Sequence, residues 1–206
     1  DFGRDVTALC WALPRPPVLV GASLGGLSSL LTLGIAEPPP VAGLVMVDVA
    51  ATLRPDGVKR VIAFMQAYPD GFATLEDAAD AIAAYLPHRT RPADTSGLSR
   101  VLRLRDDGRW GWHWDPRFLS DRPMGSHESR TERIKDLLTS SARAVRCPTL
   151  LVRGKLSDVI GDQDVALFRE LVPHCQLVDV RDAGHMIAGD KNDRFTQAVV
   201  AFLEGL

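Results

Sequence analysis

The run Pro17-Val18-Leu19-Val20-Gly21 is almost wholly apolar, and it passes straight into Ala22-Ser23-Leu24-Gly25-Gly26 and a further apolar stretch. A strand with apolar residues at nearly every position has no polar face to offer water. It must therefore sit in a sheet covered on both sides, as parallel sheets are. Leu24 to Ile35 has the apolar content and length of a buried helix, and Pro38-Pro39-Pro40 ends the connection behind it. Val41 to Val47 repeats the pattern as a second buried strand, ending at Asp48.

The alternation then stops. Val58 to Ala67 and Leu75 to Tyr85 read as helices, the second with Thr74 as N-cap and Glu76 and Asp77 in its first turn. Arg109 to Pro116 holds three of the four tryptophans, Trp110, Trp112 and Trp114, and Ser129 to Arg143 reads as a polar helix. Strand and helix resume with Thr149 to Gly154, a helix capped by Asp162 and running to Leu171, a strand over Gln176 to Val180, and a closing helix over Asn192 to Leu203. The expected fold class is α/β, a mostly parallel sheet with residues 1–52 and 147–206 as its core and residues 53–146 as a helical insertion.

Gly21-Ala22-Ser23-Leu24-Gly25 fits G-x-S-x-G, and its place between a buried strand and a buried helix gives that short pattern its meaning. A serine there sits on a strained, tight turn. Side chains at Gly21 and Gly25 are expected to collide with neighbouring backbone, and Gly26 to let the helix pack closely on the sheet. The helix start presents free N–H groups to a developing oxyanion, with the N–H of Leu24 as the expected donor. A serine hydroxyl needs a base to take its proton. His185, in Asp182-Ala183-Gly184-His185-Met186, follows the last strand at the same carboxyl edge of the sheet; His88, His113, His127 and His174 do not. The base needs a carboxylate in turn. Asp158, in the loop after the strand ending at Gly154, is set first and Asp48 second. Trp112 and Trp114 are candidate substrate-binding residues or, equally, residues that staple the insertion to the main domain; Met186 is a further candidate for contact with substrate or, equally, a core residue.

On the segments Gly-Ala-Ser-Leu-Gly-Gly, Arg-Gly-Lys-Leu-Ser-Asp and Ala-Gly-His-Met, the chain resembles the α/β-hydrolase superfamily of esterases, lactonases, carbon–carbon hydrolases and cofactor-free haloperoxidases, from Asp1 to Leu206. The order Ser23, Asp158, His185 is the order that resemblance implies, although some members place the acid where Asp48 lies. It also implies that the insertion is a cap. The implied activity is hydrolysis of an ester-like or lactone substrate through an acyl-enzyme, with no metal and no organic cofactor. A carbon–carbon hydrolase, a haloperoxidase or perhydrolase, and a non-catalytic binding protein or inactive fragment are the alternatives. Ser23 argues against epoxide hydrolysis and dehalogenation, which use an aspartate at this position. The resemblance further implies four strands before the elbow and a His-Gly segment supplying a second oxyanion N–H. Neither is in the sequence, so the N-terminal part of the sheet is expected to come from a longer polypeptide or from a second copy in a homodimer.

Composition adds exclusions. The 206 residues are 46% hydrophobic and 24% charged with a formal net charge of −2, which gives nucleic acid or an anionic membrane no electrostatic purchase. A small-molecule substrate is the expected partner. Cys10, Cys147 and Cys175 have no metal-ligand spacing and read as buried free thiols of a cytoplasmic protein.

Overall fold

A computed structural model of the chain describes residues 1–115, 117–120, 127–187 and 192–206. Two compact units emerge, Asp1–Val58 with Gly125–Leu206, and Lys59–Met124.

The first unit is built on a four-stranded parallel sheet ordered β1-β2-β5-β6, with β1 Val18–Ala22, β2 Gly43–Val47, β5 Thr149–Gly154 and β6 Cys175–Val180. Helices α1 (Phe2–Ala12), α2 (Leu24–Leu33), α6 (His127–Ala144), α7 (Asp162–Leu171) and α8 (Asn192–Glu204) accompany it. Every residue of β2 and β5 is buried, as expected of central strands sandwiched between helices. Val45, Val47, Leu150, Val152, Val180 and Phe202 form the core on one side. Among the described residues β1 pairs with β2 alone, and Val20 on it is 49% exposed.

The second unit holds the rest of α3 (Pro55–Gln66), α4 (Leu75–Tyr85), a 3₁₀ turn (Ser96–Arg100), and an antiparallel hairpin of β3 (Leu102–Leu104) and β4 (Trp110–Trp112). The short α5 (Arg117–Ser120) follows. Thr74 caps α4 as expected: its hydroxyl accepts from the Asp77 N–H, and the Asp77 carboxylate accepts from the Thr74 N–H. Phe72, Ala78, Ala81 and Leu102 make this unit's own core.

Three expectations are corrected. The insertion is Lys59–Met124, narrower than residues 53–146, because α6 packs on α2 in the first unit. The two helices approach so closely that a Cβ on Gly34 would lie 2.0 Å from the Ser141 hydroxyl. The tryptophan-rich stretch contributes a strand, β4, with Gly108 at φ +78 in the hairpin turn that feeds it. Asp162 is not the cap of α7. Gly161 holds that position, and the Asp164 carboxylate accepts from its N–H at 2.9 Å.

Asp162 turns instead to Arg153, a guanidinium only 5% exposed on the central strand β5. Register sets Arg153 beside Asp179 of β6, which takes two parallel N–H bonds at 2.7 and 2.8 Å. These bonds hold the Asp179 carboxyl below the usual carboxylate range and push the Arg153 guanidinium up. A carboxyl depressed in the folded state stabilises the fold above its unfolded value and loses that contribution as pH falls through the folded value. Asp179→Asn is expected to cost about 1–2 kcal/mol in urea denaturation at pH 7, since Arg153 keeps Asp162. The gap to wild type should begin to narrow near pH 4, where the unfolded carboxyl takes up its proton, and close only as pH falls through the lower folded value. An unchanged midpoint at pH 7 would contradict this.

Candidate active site

Ser23 stands between β1 and α2 with φ 49 and ψ −120, a conformation that costs a side-chain-bearing residue energy and persists only where its surroundings enforce it. They do so here from both sides. The Ser23 N–H continues the sheet ladder to the Val47 carbonyl at 3.2 Å, while the Ser23 carbonyl accepts from Leu27 in the first turn of α2. The backbone must turn from strand to helix within one residue. A Cβ on Gly21 would lie 2.4 Å from the Gly25 carbonyl carbon and the Gly26 nitrogen. A Cβ on Gly26 would lie 2.8 Å from the Gly21 carbonyl oxygen and 2.7 Å from Val49. The expected collision at Gly25 is absent: a Cβ there meets nothing within 4 Å among the described residues, because Gly25 faces away from the strand. Gly21 and Gly26 are the pair that makes the turn possible. Leu24 heads α2, where the helix has no internal acceptor for its N–H.

Register places the other groups. Ala22 is level with Val47, and Val47 with Val152, so Ser23 and Asp48 are neighbouring first residues past the sheet's carboxyl edge. The Asp48 N–H extends the ladder to the Val152 carbonyl at 2.8 Å. Asp48 also has positive φ, 51, and it is fully buried. Burying a carboxylate costs several kcal/mol unless donors surround it. Asp48 Oδ1 accepts from the Gly154 N–H at 2.9 Å, and Oδ2 accepts from the Ser157 hydroxyl and from His185 Nδ1, the latter at 2.8 Å.

The last strand delivers His185. After β6 the chain reverses at Asp182, φ 58, and the Ala183 carbonyl is held by the Leu156 N–H at 2.9 Å. The Gly184 carbonyl crosses Gly154 so closely that a Cβ on Gly154 would lie 2.3 Å from it. The imidazole is 10% exposed. A carboxylate can only accept, so Nδ1 carries a proton, and in the neutral imidazole Nε2 is then the nitrogen with the lone pair.

The structure thus brings Asp48 to His185, where Asp158 stood first in the sequence reading. Asp48 emerges directly from the strand between β1 and β5. Asp158 is four residues past the end of β5, and its backbone carbonyl packs where Gly57 lacks a side chain. The readable signal was positional: Asp48 follows its strand at once, as Ser23 follows β1. Ser157, which sequence reasoning did not single out, shares the carboxylate with His185.

Met186, 51% exposed, adjoins His185 in the chain. Trp112 and Trp114 belong to the second unit. The Trp112 ring meets Phe64 and Phe72 edge-on at 5.6 and 5.5 Å, so its described contacts are packing contacts. Trp114 is half-buried. A cleft of about 700 Å³ between β6 and α8 is lined by residues such as Asp179, Arg181 and Arg194 and by none of Ser23, Asp48 or His185.

A parallel sheet that presents a strained serine at a strand–helix turn and a histidine–aspartate pair at the same edge is the architecture of a serine-type hydrolase fold. The chain belongs to the alpha/beta hydrolase family, whose model matches residues 1–198. It is 30% identical over 176 residues to a 3-hydroxybutyrate-oligomer hydrolase of Cupriavidus necator, covering 80% of this chain and 57% of that protein. It is 27% identical to an esterase of Mycobacterium tuberculosis, covering 93% of this chain and 62% of that one. The solved structure of E-2-(acetamidomethylene)succinate hydrolase superposes with a TM-score of 0.74 at 22% identity, covering 98% of this chain and 72% of that one, a likeness of fold. The chain therefore spans about three fifths of the length of these curated relatives. Among the described residues no helix is long and apolar enough to cross a membrane.

The elbow geometry separates the two glycines of the motif. Gly21→Ala should destabilise the fold by about 3 kcal/mol in urea denaturation, because backbone, not a flexible side chain, stands in the way. Gly25→Ala should leave stability within about 1 kcal/mol of wild type, with a helix-propensity gain in its favour. Equal losses at both positions would contradict the geometry.

Proposed function

We propose that the chain carries the reacting centre of a serine hydrolase that cleaves an ester-like or lactone carbonyl through an acyl-enzyme. Ser23 is the nucleophile, His185 the base and Asp48 the carboxylate that holds the base. The observation that carries this reading is the 2.8 Å contact between His185 Nδ1 and the buried Asp48, one strand from a serine held at φ 49.

In the proposed sequence His185 Nε2 takes the Ser23 hydroxyl proton as Oγ bonds to the carbonyl carbon, and the carbonyl π pair moves to oxygen. The N–H of Leu24 donates to that oxyanion. When the oxyanion collapses, the bond to the leaving alkoxide breaks and the imidazolium returns the proton to it. Water then gives a proton to the same imidazole as its oxygen bonds to the acyl carbon; on collapse the bond to Ser23 Oγ breaks, the imidazolium returns the proton to Oγ, and the acid leaves. Asp48 fixes the tautomer in which Nε2 can accept, and its negative charge favours the imidazolium. The names of the two curated relatives, a 3-hydroxybutyrate-oligomer hydrolase and an esterase, support the ester class. Met186, half exposed beside the base, is the proposed contact for the acyl group.

Hydrolysis of a p-nitrophenyl acyl ester by the purified chain tests the assignment. Ser23→Ala and His185→Ala should abolish turnover, Asp48→Asn should lower kcat by about 10⁴-fold, and Asp158→Asn should lower it by less than about tenfold. Full activity of Ser23→Ala would overturn the nucleophile, and a larger loss at Asp158 than at Asp48 would overturn the acid.

A further inference from the structure

We infer that Ser157 is a positioning residue: its hydroxyl fixes the Asp48 carboxylate in the orientation that receives His185. This rests on the reading of His185 and Asp48 as base and acid.

The hydroxyl has one proton to give and two lone pairs to fill. Its oxygen accepts from the Val159 N–H at 3.1 Å and from the Ile160 N–H at 3.4 Å. With backbone donors on the lone-pair side, the proton has one direction left, toward Asp48 Oδ2. Backbone geometry therefore sets the hydroxyl rotor, and the rotor sets the carboxylate. The loop that carries Ser157 is itself closed by its own N–H to the Gly154 carbonyl at 3.0 Å, and Gly154 donates to the other carboxylate oxygen at 2.9 Å. The two oxygens of Asp48 are thus pinned from one four-residue turn, Gly154 to Ser157, Oδ1 by main chain and Oδ2 by side chain. His185 Nδ1 then meets an oxygen whose position is already decided. Without Ser157, Oδ1 would keep the Gly154 N–H and Oδ2 the imidazole, but Oδ2 would lose the donor that fixes it independently of the ring, so the carboxylate and the imidazole could shift together about the Gly154 bond.

A residue that only stabilised the loop would alter unfolding and leave the histidine–aspartate bond as it was. A positioning residue must change that bond in the folded protein. The far-downfield proton resonance of the His185 Nδ1–H reads this directly in the intact chain, with His185→Ala assigning the signal by its loss. In Ser157→Ala the resonance should be displaced or broadened in protein that remains folded. Against a p-nitrophenyl ester, kcat should fall about tenfold with KM within about twofold, the low end of what losing a partner one step behind a functional ligand costs. Ser157→Cys keeps the side-chain shape, slightly enlarged, with a weaker donor, so it should show the same displacement and serves if the alanine variant does not fold. A resonance present in wild type and unmoved in the folded variant would overturn the role of Ser157 alone. Its absence from wild type would overturn the His185–Asp48 pairing, and this inference with it.

Discussion

One buried carboxylate ties the site together. Asp48 sits at the end of a strand with no solvent around it, so its oxygens must be met by donors from the protein. Those donors come from the main chain at the last residue of β5, a hydroxyl three residues further on, and the imidazole after β6. Three segments distant in sequence are thereby fixed to one another at the carboxyl edge of the sheet. Removing the carboxylate would leave a part-buried imidazole N–H and a part-buried hydroxyl without their acceptor, a cost of up to about 1–3 kcal/mol for each orphaned group. The pairing that prepares a base for chemistry is therefore also part of what holds the loops in place.

The sheet does the rest by register. Parallel strands end level with one another, so residues that leave β1 and β2 at the same step become neighbours without any specific contact between them. Ser23 and Asp48 both take positive φ at that step, 49 and 51. Such backbone is paid for by the packing around it. At Ser23 this packing is the approach of Gly26 to Gly21; at Asp48 it is burial beneath the β5 loop. Local strain and long-range burial thus act on the same few residues.

The elbow and the alternating strands were legible in the sequence because each rests on a short-range signal: apolar runs for buried strands, glycines where backbone passes close to backbone, and Thr74 before an acidic first turn. Less legible were features decided by tertiary packing. Asp48 and Asp158 both lie beyond strand ends at the right edge, and only the crossing of the β6 loop over Gly154 decides which one His185 meets. Asp162 has the look of a helix cap, but the buried Arg153 claims it as an ion-pair partner. The place of α6 depended on Gly34 making room against Ser141, which sequence periodicity does not encode. The β3–β4 hairpin did leave a local trace in Asp107-Gly108, a turn signal masked by the tryptophans that follow it.

Ser23, His185 and Asp48 are proposed to act as one working unit. A crystal structure of the chain after reaction with a fluorophosphonate tests it most directly, since the bound phosphorus mimics the tetrahedral intermediate of acyl transfer. The expected adduct has phosphorus on Ser23 Oγ, a phosphonyl oxygen on the Leu24 N–H, and His185 held through Nδ1 by Asp48. An adduct on another residue, or the Asp158 carboxylate on Nδ1 in place of Asp48, would contradict it.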